Sequence, residues 1–333
     1  MSSGPVEARW WVRLPEGQVE CRLCPWHCRP MPGEIGRCGA RQNVGGRLMS
    51  LNYGQITSVA LDPIEKKPLY HFHPGSGILS VGSFGCNLSC QFCQNWRIST
   101  ERPATQYLPP EGLAQMAAER RSAGSIGVAY TYNEPLVSIE YVADCARLVA
   151  GLDLKNVLVT NGIVEPTPFE ELLPYIHAMN VDIKAMDDEF YKRLCGGRAQ
   201  PARATVERAV QSCHVEITNL LIPGYNDSDE QIRALVDWAA DVSPMMPLHF
   251  SAYHPAHRLA APATPRETLE RAYDIAARKM RFVYVGNMYI GGTADTRCPT
   301  CGAVAVRRDG FSASTEALRD GRCSDCGAEL NIR

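Results

Sequence analysis

The middle of the chain alternates nearly continuous apolar segments with polar stretches that carry a helical period. Apolar segments of this kind are typical of parallel strands, because both faces of such strands are covered. The six clearest segments are ILSVGSF (78–84), IGVAYTY (126–132), NVLVT (156–160), MNVDIK (179–184), VEITNLLI (215–222) and LHFSAY (248–253). The segment RFVYVG (281–286) is a candidate for one more strand.

The stretches between these segments indicate where helices begin and which side of each is buried. Apolar residues recur with helical spacing over 135–150 and 228–241. They are Leu136, Ile139, Ala143 and Ala146 in the first helix and Ile232, Leu235, Val236 and Ala239 in the second. Capping boxes with proline at the first helical position are expected at 167–170 and 264–267, and a similar start is expected at 227–230.

Strand and helix alternating at this spacing predict an α/β fold with a parallel sheet. Six repeats are fewer than the eight of a closed barrel, so we expect an open, partial (β/α)6 TIM-type barrel over residues 76–290. Residues 1–75 are expected to form an N-terminal four-cysteine segment and a linker. Residues 291–333 are expected to form a C-terminal metal-binding knuckle.

Composition narrows the class of protein. The chain has 333 residues, of which 45 % are hydrophobic, so it is long enough to bury a sizeable core. A net charge of −2 does not indicate a general binder of nucleic acid or of anionic membranes. The first residues lack the apolar segment of a secretory signal, and we expect no membrane span and a cytoplasmic location.

Fourteen cysteines are present, and eleven of them fall into three tight groups. In a chain without a secretory signal, grouped cysteines are typical of metal sites rather than disulfides. The remaining three, Cys145, Cys195 and Cys213, are expected to be small core residues.

The first and last groups each contain four cysteines, which is enough to close a metal site. The spacing of Cys21, Cys24, Cys28 and Cys38 leaves zinc and an iron–sulfur cluster both open. Two C-x2-C pairs form the last group, which resembles a zinc ribbon or a rubredoxin knuckle: Cys298, Cys301, Cys323 and Cys326. Zinc there would be structural, whereas iron would carry electrons. Because this segment has few apolar residues, we expect it to fold around its metal, independently of the barrel.

The middle group has only three cysteines, Cys86, Cys90 and Cys93, and it directly follows the first predicted strand. Three thiolates on a four-iron cluster leave one iron without a protein ligand. An open coordination position is typical of a catalytic metal site, and the carboxyl ends of parallel strands are where such folds place their active sites. The alternative is a zinc site completed by a distant residue.

With Phe92 before its last cysteine, this group resembles the signature of the radical SAM superfamily, C-x3-C-x-aromatic-C. Residues 76–290 resemble its pyruvate formate-lyase activating-enzyme branch. The resemblance implies that S-adenosylmethionine chelates the vacant iron of a 4Fe-4S cluster. It further implies that reductive cleavage of that cofactor yields a 5′-deoxyadenosyl radical, which abstracts hydrogen from a substrate. The electron donor implied is a flavodoxin or ferredoxin.

The same resemblance implies the residues that contact the cofactor. They are Phe92, Asn133, Glu134, Thr160, Asn161, Asp182, Lys184 and His254. The segment LLIPGYNDS (220–228) resembles a loop near the adenine. The chain departs from the branch at Val159, where an acidic residue typically binds the methionine ammonium group.

Each of these residues also has a purely structural interpretation. Glu134 precedes a proline and is suited to cap the next helix. Asp182 and Lys184 lie two apart on one strand face and are suited to a local ion pair. His254 is expected to be either a ribose contact or an ordinary loop histidine, with His249 as its competitor.

Further motifs resemble the AmmeMemoRadiSam subfamily, and they extend over nearly the whole chain. They are DPIEKKPLYHF (62–72), CQNW (93–96), AYTYNEP (129–135) and the cysteines near both ends. This resemblance implies Memo-like and AMMECR-type proteins as partners and names no substrate. The charges in the first motif are expected to be a solvated run in the linker, or else to face a substrate carboxylate: Asp62, Glu65, Lys66 and Lys67.

Three other functions are compatible with these patterns. In the first, the protein is a glycyl-radical activase. In the second it transfers a 3-amino-3-carboxypropyl group after cleaving another C–S bond. In the third it is a non-enzymatic zinc-ribbon protein. The near-neutral charge and the cysteines at a strand end argue against the last.

Overall fold

The computed structural model describes residues 4–333 and centres on one eight-stranded sheet. Its strands are β1 (Ser58–Pro63), β2 (Gly77–Gly82), β3 (Ser125–Tyr130), β4 (Lys155–Thr160), β5 (Ala178–Asp182), β6 (His214–Leu221), β7 (Leu248–Ala252) and β8 (Val283–Gly286). Neighbours in the chain are neighbours in the sheet, and β2 to β8 are all parallel. Among the described residues the two edge strands do not pair with each other, so the barrel is open. The predicted fold is confirmed, and RFVYVG supplies the seventh parallel strand.

Seven α-helices of five or more residues accompany the sheet in the described part of the chain. They are α1 (Trp96–Thr100), α2 (Pro110–Glu119), α3 (Ile139–Gly151), α4 (Pro166–Leu172), α5 (Ala199–Ala209), α6 (Asp229–Val242) and α7 (Arg266–Ala276). Helix α6 begins one residue later than the expected start at 227–230, with a capping box between Ser228 and Gln231. A 3-10 turn, Pro135–Ser138, leads into α3. Within the described residues, no helix is long and apolar enough to cross a membrane.

Two of the expected capping boxes are wrong. Helix α4 begins two residues early, with Glu165 at the cap position, so Thr167 lies inside the first turn. At the start of α7 the hydroxyl of Thr264 does not cap the helix. It donates to the carbonyl of Leu221 at 2.7 Å and accepts the N–H of Tyr253 at 2.7 Å. A tertiary bond between two strand ends therefore outweighs the local capping preference.

The segment before β2 belongs to the barrel, although the sequence indicated a solvated linker. Strand β1 pairs antiparallel with β2 along its whole length. Asp62, Glu65 and Lys67 are buried, and Lys67 Nζ lies 2.6 Å from the Asp62 carboxylate. Burial opposes ionisation of Asp62, but bonds from Lys66, Lys67 and the Tyr132 hydroxyl hold its pKa well below the usual range. The prediction of a solvated charge run is wrong, because Asp62 and Lys67 pair with each other beside the side chain of Tyr132, and Glu65 lies 3.7 Å from Arg308.

Glu216 on β6 ties this buried segment to the sheet. Its carboxylate accepts the backbone N–H groups of Tyr70 at 3.0 Å and His71 at 2.7 Å. It also lies 2.9 Å from Nε2 of His214 and 2.6 Å from Nε2 of His249. The side chain is fully buried, which favours the neutral acid, but the two histidines hold the pKa of Glu216 well below its ordinary value.

The C-terminal segment packs against the barrel instead of standing apart as an independent unit. Arg308 donates from Nη2 to the carbonyl of Tyr70 at 2.6 Å, and its guanidinium lies 4.2 Å from the centre of the Tyr70 ring. The ring of His71 bonds to the carbonyl of Leu330 at 2.9 Å and to the hydroxyl of Tyr284 at 2.6 Å. Because Tyr284 lies early in β8, this segment covers the amino-terminal end of the sheet.

Replacing the buried carboxylate, Glu216→Gln, should lower the free energy of unfolding by roughly 3–5 kcal/mol at pH 7, since the change removes a charge on which four donors converge. The folded-state pKa is depressed, so this stabilisation is present above the unfolded pKa of about 4.3 and is lost as the pH falls below it. Urea unfolding should therefore show that the difference in the free energy of unfolding between wild type and Glu216→Gln becomes smaller from pH 6 to pH 4. The exposed substitution Glu267→Gln is the matched control. Equal stability of wild type and Glu216→Gln at pH 7 would contradict this account.

Candidate active site

The three cysteines of the middle group lie in the loop after β2, at the carboxyl edge of the sheet. Two other segments hold this loop in place. The N–H groups of Ser89 and Gln91 donate to the carbonyls of Cys195 and Leu194, each at 2.8 Å. The carbonyl of Gln91 in turn accepts the N–H of Arg258 at 2.8 Å and of Leu259 at 2.9 Å. The loop conformation is therefore fixed by backbone bonds to its neighbours.

Polar groups also approach the sulfur atoms of the cysteines. Nδ2 of Asn161 lies 3.6 Å from Sγ of Cys86, and the N–H of Leu88 lies 3.4 Å from the same atom. Sγ of Cys93 lies 3.9 Å from the Ser99 hydroxyl. Hydrogen bonds to cluster sulfurs are one means by which a protein tunes the reduction potential of a cluster.

Cys195 is a residue of this site that the sequence did not indicate. It is buried, as expected of a core residue, but its thiol lies beside that of Cys90 and lowers the pKa of Cys90. A short π-helix, Tyr191–Cys195, brings it there. The C-x3-C-x2-C spacing contains no signal for this contact, because Cys195 lies far along the chain.

The donor set fits a four-iron cluster. In such a cluster each thiolate binds a different iron, so the sulfurs must lie further apart than around a single ion. Among the described residues, Cys86, Cys90 and Cys93 do not form a group whose ligand atoms all lie within 4.8 Å. Three thiols that converge on one side of a fixed loop match a cluster with one corner left open.

Glu134 joins the ends of β3 and β4. One carboxylate oxygen accepts the Thr160 hydroxyl at 2.6 Å and the N–H of Leu136 at 3.0 Å, and the other accepts the N–H of Asn161 at 2.8 Å. Burial raises the pKa of Glu134 to about 7, against the effect of these three bonds. The capping interpretation is confirmed, because Glu134 caps the 3-10 turn that leads into α3.

Asn133 shapes the cysteine loop from the same turn. Its Oδ1 accepts the N–H of Ser83 at 2.9 Å, and its Nδ2 donates to the carbonyl of Gly85 at 3.0 Å. The polar atoms of Asn133, Glu134 and Thr160 are thus bonded to the chain itself. The contacts seen for these three side chains position the turn and the loop, and their contact with a cofactor stays a prediction.

Asp182 and Lys184 form the expected ion pair at the end of β5, with Nζ 3.4 Å from Oδ2. The pair faces the cysteine loop, and Lys184 Nζ lies 5.8 Å from the centre of the Phe92 ring. Burial opposes the charge on Lys184, but the carboxylate of Asp182 and then the thiols of Cys90 and Cys195 raise its pKa well above the ordinary value. A cationic side chain is therefore fixed beside the cysteines.

The two histidines that competed for a cofactor contact lie in different places. His249 is buried, and its Nε2 bonds to the carboxylate of Glu216. His254 is exposed just beyond the end of β7, with Nε2 3.5 Å from the carbonyl of Asn287. Of the two, His254 is the one that faces the carboxyl edge of the sheet.

A cavity of about 250 Å³ opens beside Lys184, between the end of β5 and helix α6. Asn219 and Asn226 line it and hold its wall: Asn219 Nδ2 donates to the carbonyl of Ile183 at 2.7 Å, and Asn226 Nδ2 to that of Lys184 at 2.8 Å. Asn226 lies in the segment 220–228 that resembles an adenine loop. Asn219 was not indicated by the sequence, where it is one polar residue within an apolar strand.

The last cysteine group fits a single tetrahedral ion. Its four sulfurs all lie within 4.8 Å of one another. Two of the distances are 3.5 Å, between Cys298 and Cys326, and 3.7 Å, between Cys301 and Cys323. A tetrahedral ion with metal–sulfur bonds of about 2.3 Å requires sulfur–sulfur edges of about 3.8 Å. Each C-x2-C pair forms a tight turn, in which the N–H group of the following glycine donates to the carbonyl of the first cysteine: Gly302 to Cys298 at 2.9 Å and Gly327 to Cys323 at 2.8 Å.

The family model of the radical SAM superfamily matches residues 80–239, which include the three-cysteine loop and neither terminal group. An uncharacterized protein of Methanocaldococcus jannaschii is 37 % identical over 335 residues, which cover 98 % of this chain and 99 % of that protein. A pyruvate formate-lyase-activating enzyme of Clostridium pasteurianum is 27 % identical over 187 residues, covering 54 % of this chain and 77 % of that protein.

A solved radical SAM methyltransferase from Sphaerobacter thermophilus shares the fold, with a TM-score of 0.52 and 19 % identity over 67 % of this chain and 69 % of that chain. Residues 80–239 form a radical SAM domain, and the protein is a radical SAM enzyme. Within that superfamily it is homologous to the pyruvate formate-lyase activating enzymes. The alternative of a non-enzymatic zinc-ribbon protein is therefore excluded.

The double substitution Cys301→Ser with Cys326→Ser should reduce the bound metal by one ion per chain, because it removes two of the four ligands of a single-ion site. Elemental analysis of the purified protein measures this directly. Cys213→Ser is the control, since Cys213 is a buried cysteine outside the group and its loss should leave the metal content unchanged. The single-ion assignment fails if the double variant retains the wild-type metal content.

Proposed function

We propose that Cys86, Cys90 and Cys93 hold a 4Fe-4S cluster at which S-adenosylmethionine is cleaved reductively, yielding a 5′-deoxyadenosyl radical that abstracts hydrogen from a substrate. The observation that supports this most is the convergence of three thiols and the Asp182–Lys184 pair at the carboxyl edge of the sheet. Membership of the superfamily supports the same chemistry.

Some residues of the chain would bind the cofactor, and others would position the cysteine loop. Lys184 offers a charge-assisted bond to a carboxylate, and Asp182 accepts from hydroxyl groups. Phe92, Asn161 and His254 complete the contacts we assign to the cofactor, and the cavity at Asn226 is suited to its base. Burial of the loop excludes water from a reactive radical.

We assign a positioning role to Asn133, Glu134 and Thr160, rather than direct contact with the cofactor. They fix the turn after β3 and the end of β4, and through the Gly85 carbonyl they fix the cysteine loop. Their substitution should disturb the geometry of the cluster before it disturbs cofactor affinity.

The substrate class follows from the relatives only in outline. A pyruvate formate-lyase activating enzyme and a 4-hydroxyphenylacetate decarboxylase activating enzyme are among the similar proteins. A glycyl-radical activase, whose substrate is a protein backbone, is therefore the second candidate.

The motifs over the whole chain favour the AmmeMemoRadiSam subfamily, with Memo-like and AMMECR-type partners and a flavodoxin or ferredoxin as electron donor. We assign zinc to the Cys298 group as a structural ion.

The triple substitution of Cys86, Cys90 and Cys93 by alanine should abolish the effect of S-adenosylmethionine on the electron paramagnetic resonance spectrum of the reduced protein. In the wild type the cofactor binds at the open iron and should shift the signal. The same substitutions at Cys145 and Cys213 provide the control, because those thiols lie outside the loop. A triple variant that retains a cofactor-dependent shift would rule out this cluster assignment.

Lys184→Ala should weaken binding of S-adenosylmethionine to the reconstituted enzyme about ten- to hundred-fold. The loss of one charge-assisted bond is worth roughly 1.5–3 kcal/mol. Isothermal calorimetry under anaerobic conditions measures the affinity, and Lys192→Ala at a nearby exposed lysine is the control. Unchanged affinity in Lys184→Ala would leave Lys184 as only the ion-pair partner of Asp182.

A further inference from the structure

We infer that Cys21, Cys24, Cys28 and Cys38 hold a second iron–sulfur cluster, and that this cluster passes electrons to the one in the active site. The inference that a second cluster is present is argued from the geometry of the N-terminal segment alone. Its role as an electron relay rests in addition on the proposed function.

The four cysteines line a single cavity, although they are spread over a hairpin and the loops after it. The hairpin strands are Trp11–Arg13 and Val19–Cys21, and the N–H of Cys21 donates to the carbonyl of Cys28 at 2.9 Å. The apolar side chains of Leu23, Leu48 and Val137 form much of the remaining wall. A buried, apolar pocket with four thiols is suited to a metal centre and to little else.

The spacing of the thiols separates a cluster from a single ion. Within the described residues, the N-terminal cysteines do not form a group with all ligand atoms inside 4.8 Å, whereas the C-terminal cysteines do. The cavity that the N-terminal thiols line has a volume of about 20 Å³, which is room for about one water-sized sphere. Thiolates that clamp zinc at about 2.3 Å leave no such space. The same chain thus contains one closed single-ion site and one wider site.

A buried donor in the cavity wall supports the same assignment. Arg41 is 1 % exposed, and its two Nη atoms bond to the carboxylate of Glu140 at 3.0 and 2.6 Å. Its Nε has no hydrogen-bond partner among the described residues. A buried N–H without a partner is costly, and Arg41 lines the cavity that the thiols share. A cluster sulfur within that cavity would accept this bond.

The cavity and the active-site loop are adjacent. The N–H of Cys86 donates to the carbonyl of Cys38 at 3.2 Å, which joins a ligand of one group to a ligand of the other. The approach is so close that a Cβ at Gly85 would lie 2.6 Å from the Cys38 oxygen. Asn87 also lines the cavity, and its Oδ1 accepts Nδ2 of Asn161, which contacts Cys86 Sγ.

The position of the third metal site excludes it from the same role. The Cys298 group packs with Tyr70, Phe282 and Tyr284 at the amino-terminal end of the sheet, away from the cysteine loop. The rate of electron transfer falls steeply with distance. The N-terminal cysteines are therefore the group placed to supply electrons to the active site.

The N-terminal group also has a face toward solvent. Cys24, Cys28 and Cys38 are half-buried, and the exposed guanidinium of Arg37 lies 4.0 Å from the centre of the Trp26 ring beside them. A low-potential carrier, a ferredoxin or flavodoxin, would reduce the N-terminal cluster by one electron. That cluster is reoxidised when it reduces the active-site cluster by the same electron, and no proton or atom is transferred.

Metal analysis of the Cys86, Cys90 and Cys93 triple-alanine variant tests the second cluster without any activity measurement. We expect about four irons per chain with the Mössbauer parameters of a 4Fe-4S cluster, in addition to one ion at the Cys298 group. Finding no iron, or only mononuclear iron, would overturn the assignment. Cys24→Ser with Cys28→Ser should remove the four irons from this background, and Cys213→Ser should not.

A second measurement does not depend on whether any variant folds. Wild-type protein reduced fully with dithionite should show a paramagnetic resonance spectrum broadened by coupling between two nearby spins. The triple variant should show one uncoupled cluster. An unbroadened sum of two independent signals in the wild type would contradict the adjacency that the relay requires.

The relay itself is tested by comparing reductants. In Cys24→Ser with Cys28→Ser, cleavage of S-adenosylmethionine driven by reduced ferredoxin should fall at least ten-fold, whereas cleavage driven by dithionite should persist. Retention of the ferredoxin-driven rate, or loss of both rates, would overturn the relay. If the wild type cleaves nothing with either reductant, the proposed function fails, while the iron count still decides whether the second cluster exists.

Discussion

The three cysteines of the active-site loop must be held at the spacing of a cluster by the rest of the protein, and this constraint organises the carboxyl edge of the sheet. Leu88 and Phe92 anchor this loop in the hydrophobic core, and hydrogen bonds to its neighbours fix the rest of its shape. The π-helix at Tyr191–Cys195, the turn at Asn133 and the carbonyl of Cys38 each supply such a bond. The barrel thus serves as a rigid frame on which a metal-binding loop is preorganised.

The two ends of the sheet serve different purposes. At the carboxyl end the polar groups converge on thiols and on an open cavity, and several face solvent. At the amino-terminal end Glu216, His71 and Arg308 bond to backbone groups and to other buried side chains. The second set covers the amino-terminal end of the sheet and anchors the C-terminal knuckle. The Cys298 group lies at this end, whereas the two wider cysteine groups lie next to each other at the carboxyl end.

Local patterns in the sequence were sufficient to predict the barrel, the cysteine loop and the C-terminal knuckle. Their signals, which are apolar period, cysteine spacing and following glycines, lie within a few residues of each other. The burial of Asp62 and Lys67 was not predictable, because it depends on Tyr132, which lies in the turn after β3. The same holds for Arg41 and Glu140, which pair across 99 residues, and for the thiol of Cys195 against Cys90. Partners that are distant in sequence decide whether a charge or a thiol is structural or functional.

The central claim is that the three-cysteine loop supports reductive cleavage of S-adenosylmethionine between sulfur and the adenosyl carbon. The most direct test incubates anaerobically reconstituted protein with S-adenosylmethionine and dithionite and identifies the products by mass spectrometry. We expect 5′-deoxyadenosine and methionine in equal amounts. Methylthioadenosine as the main product, with little 5′-deoxyadenosine, would contradict the account, because it would place the cleaved bond on the aminocarboxypropyl side of the sulfur.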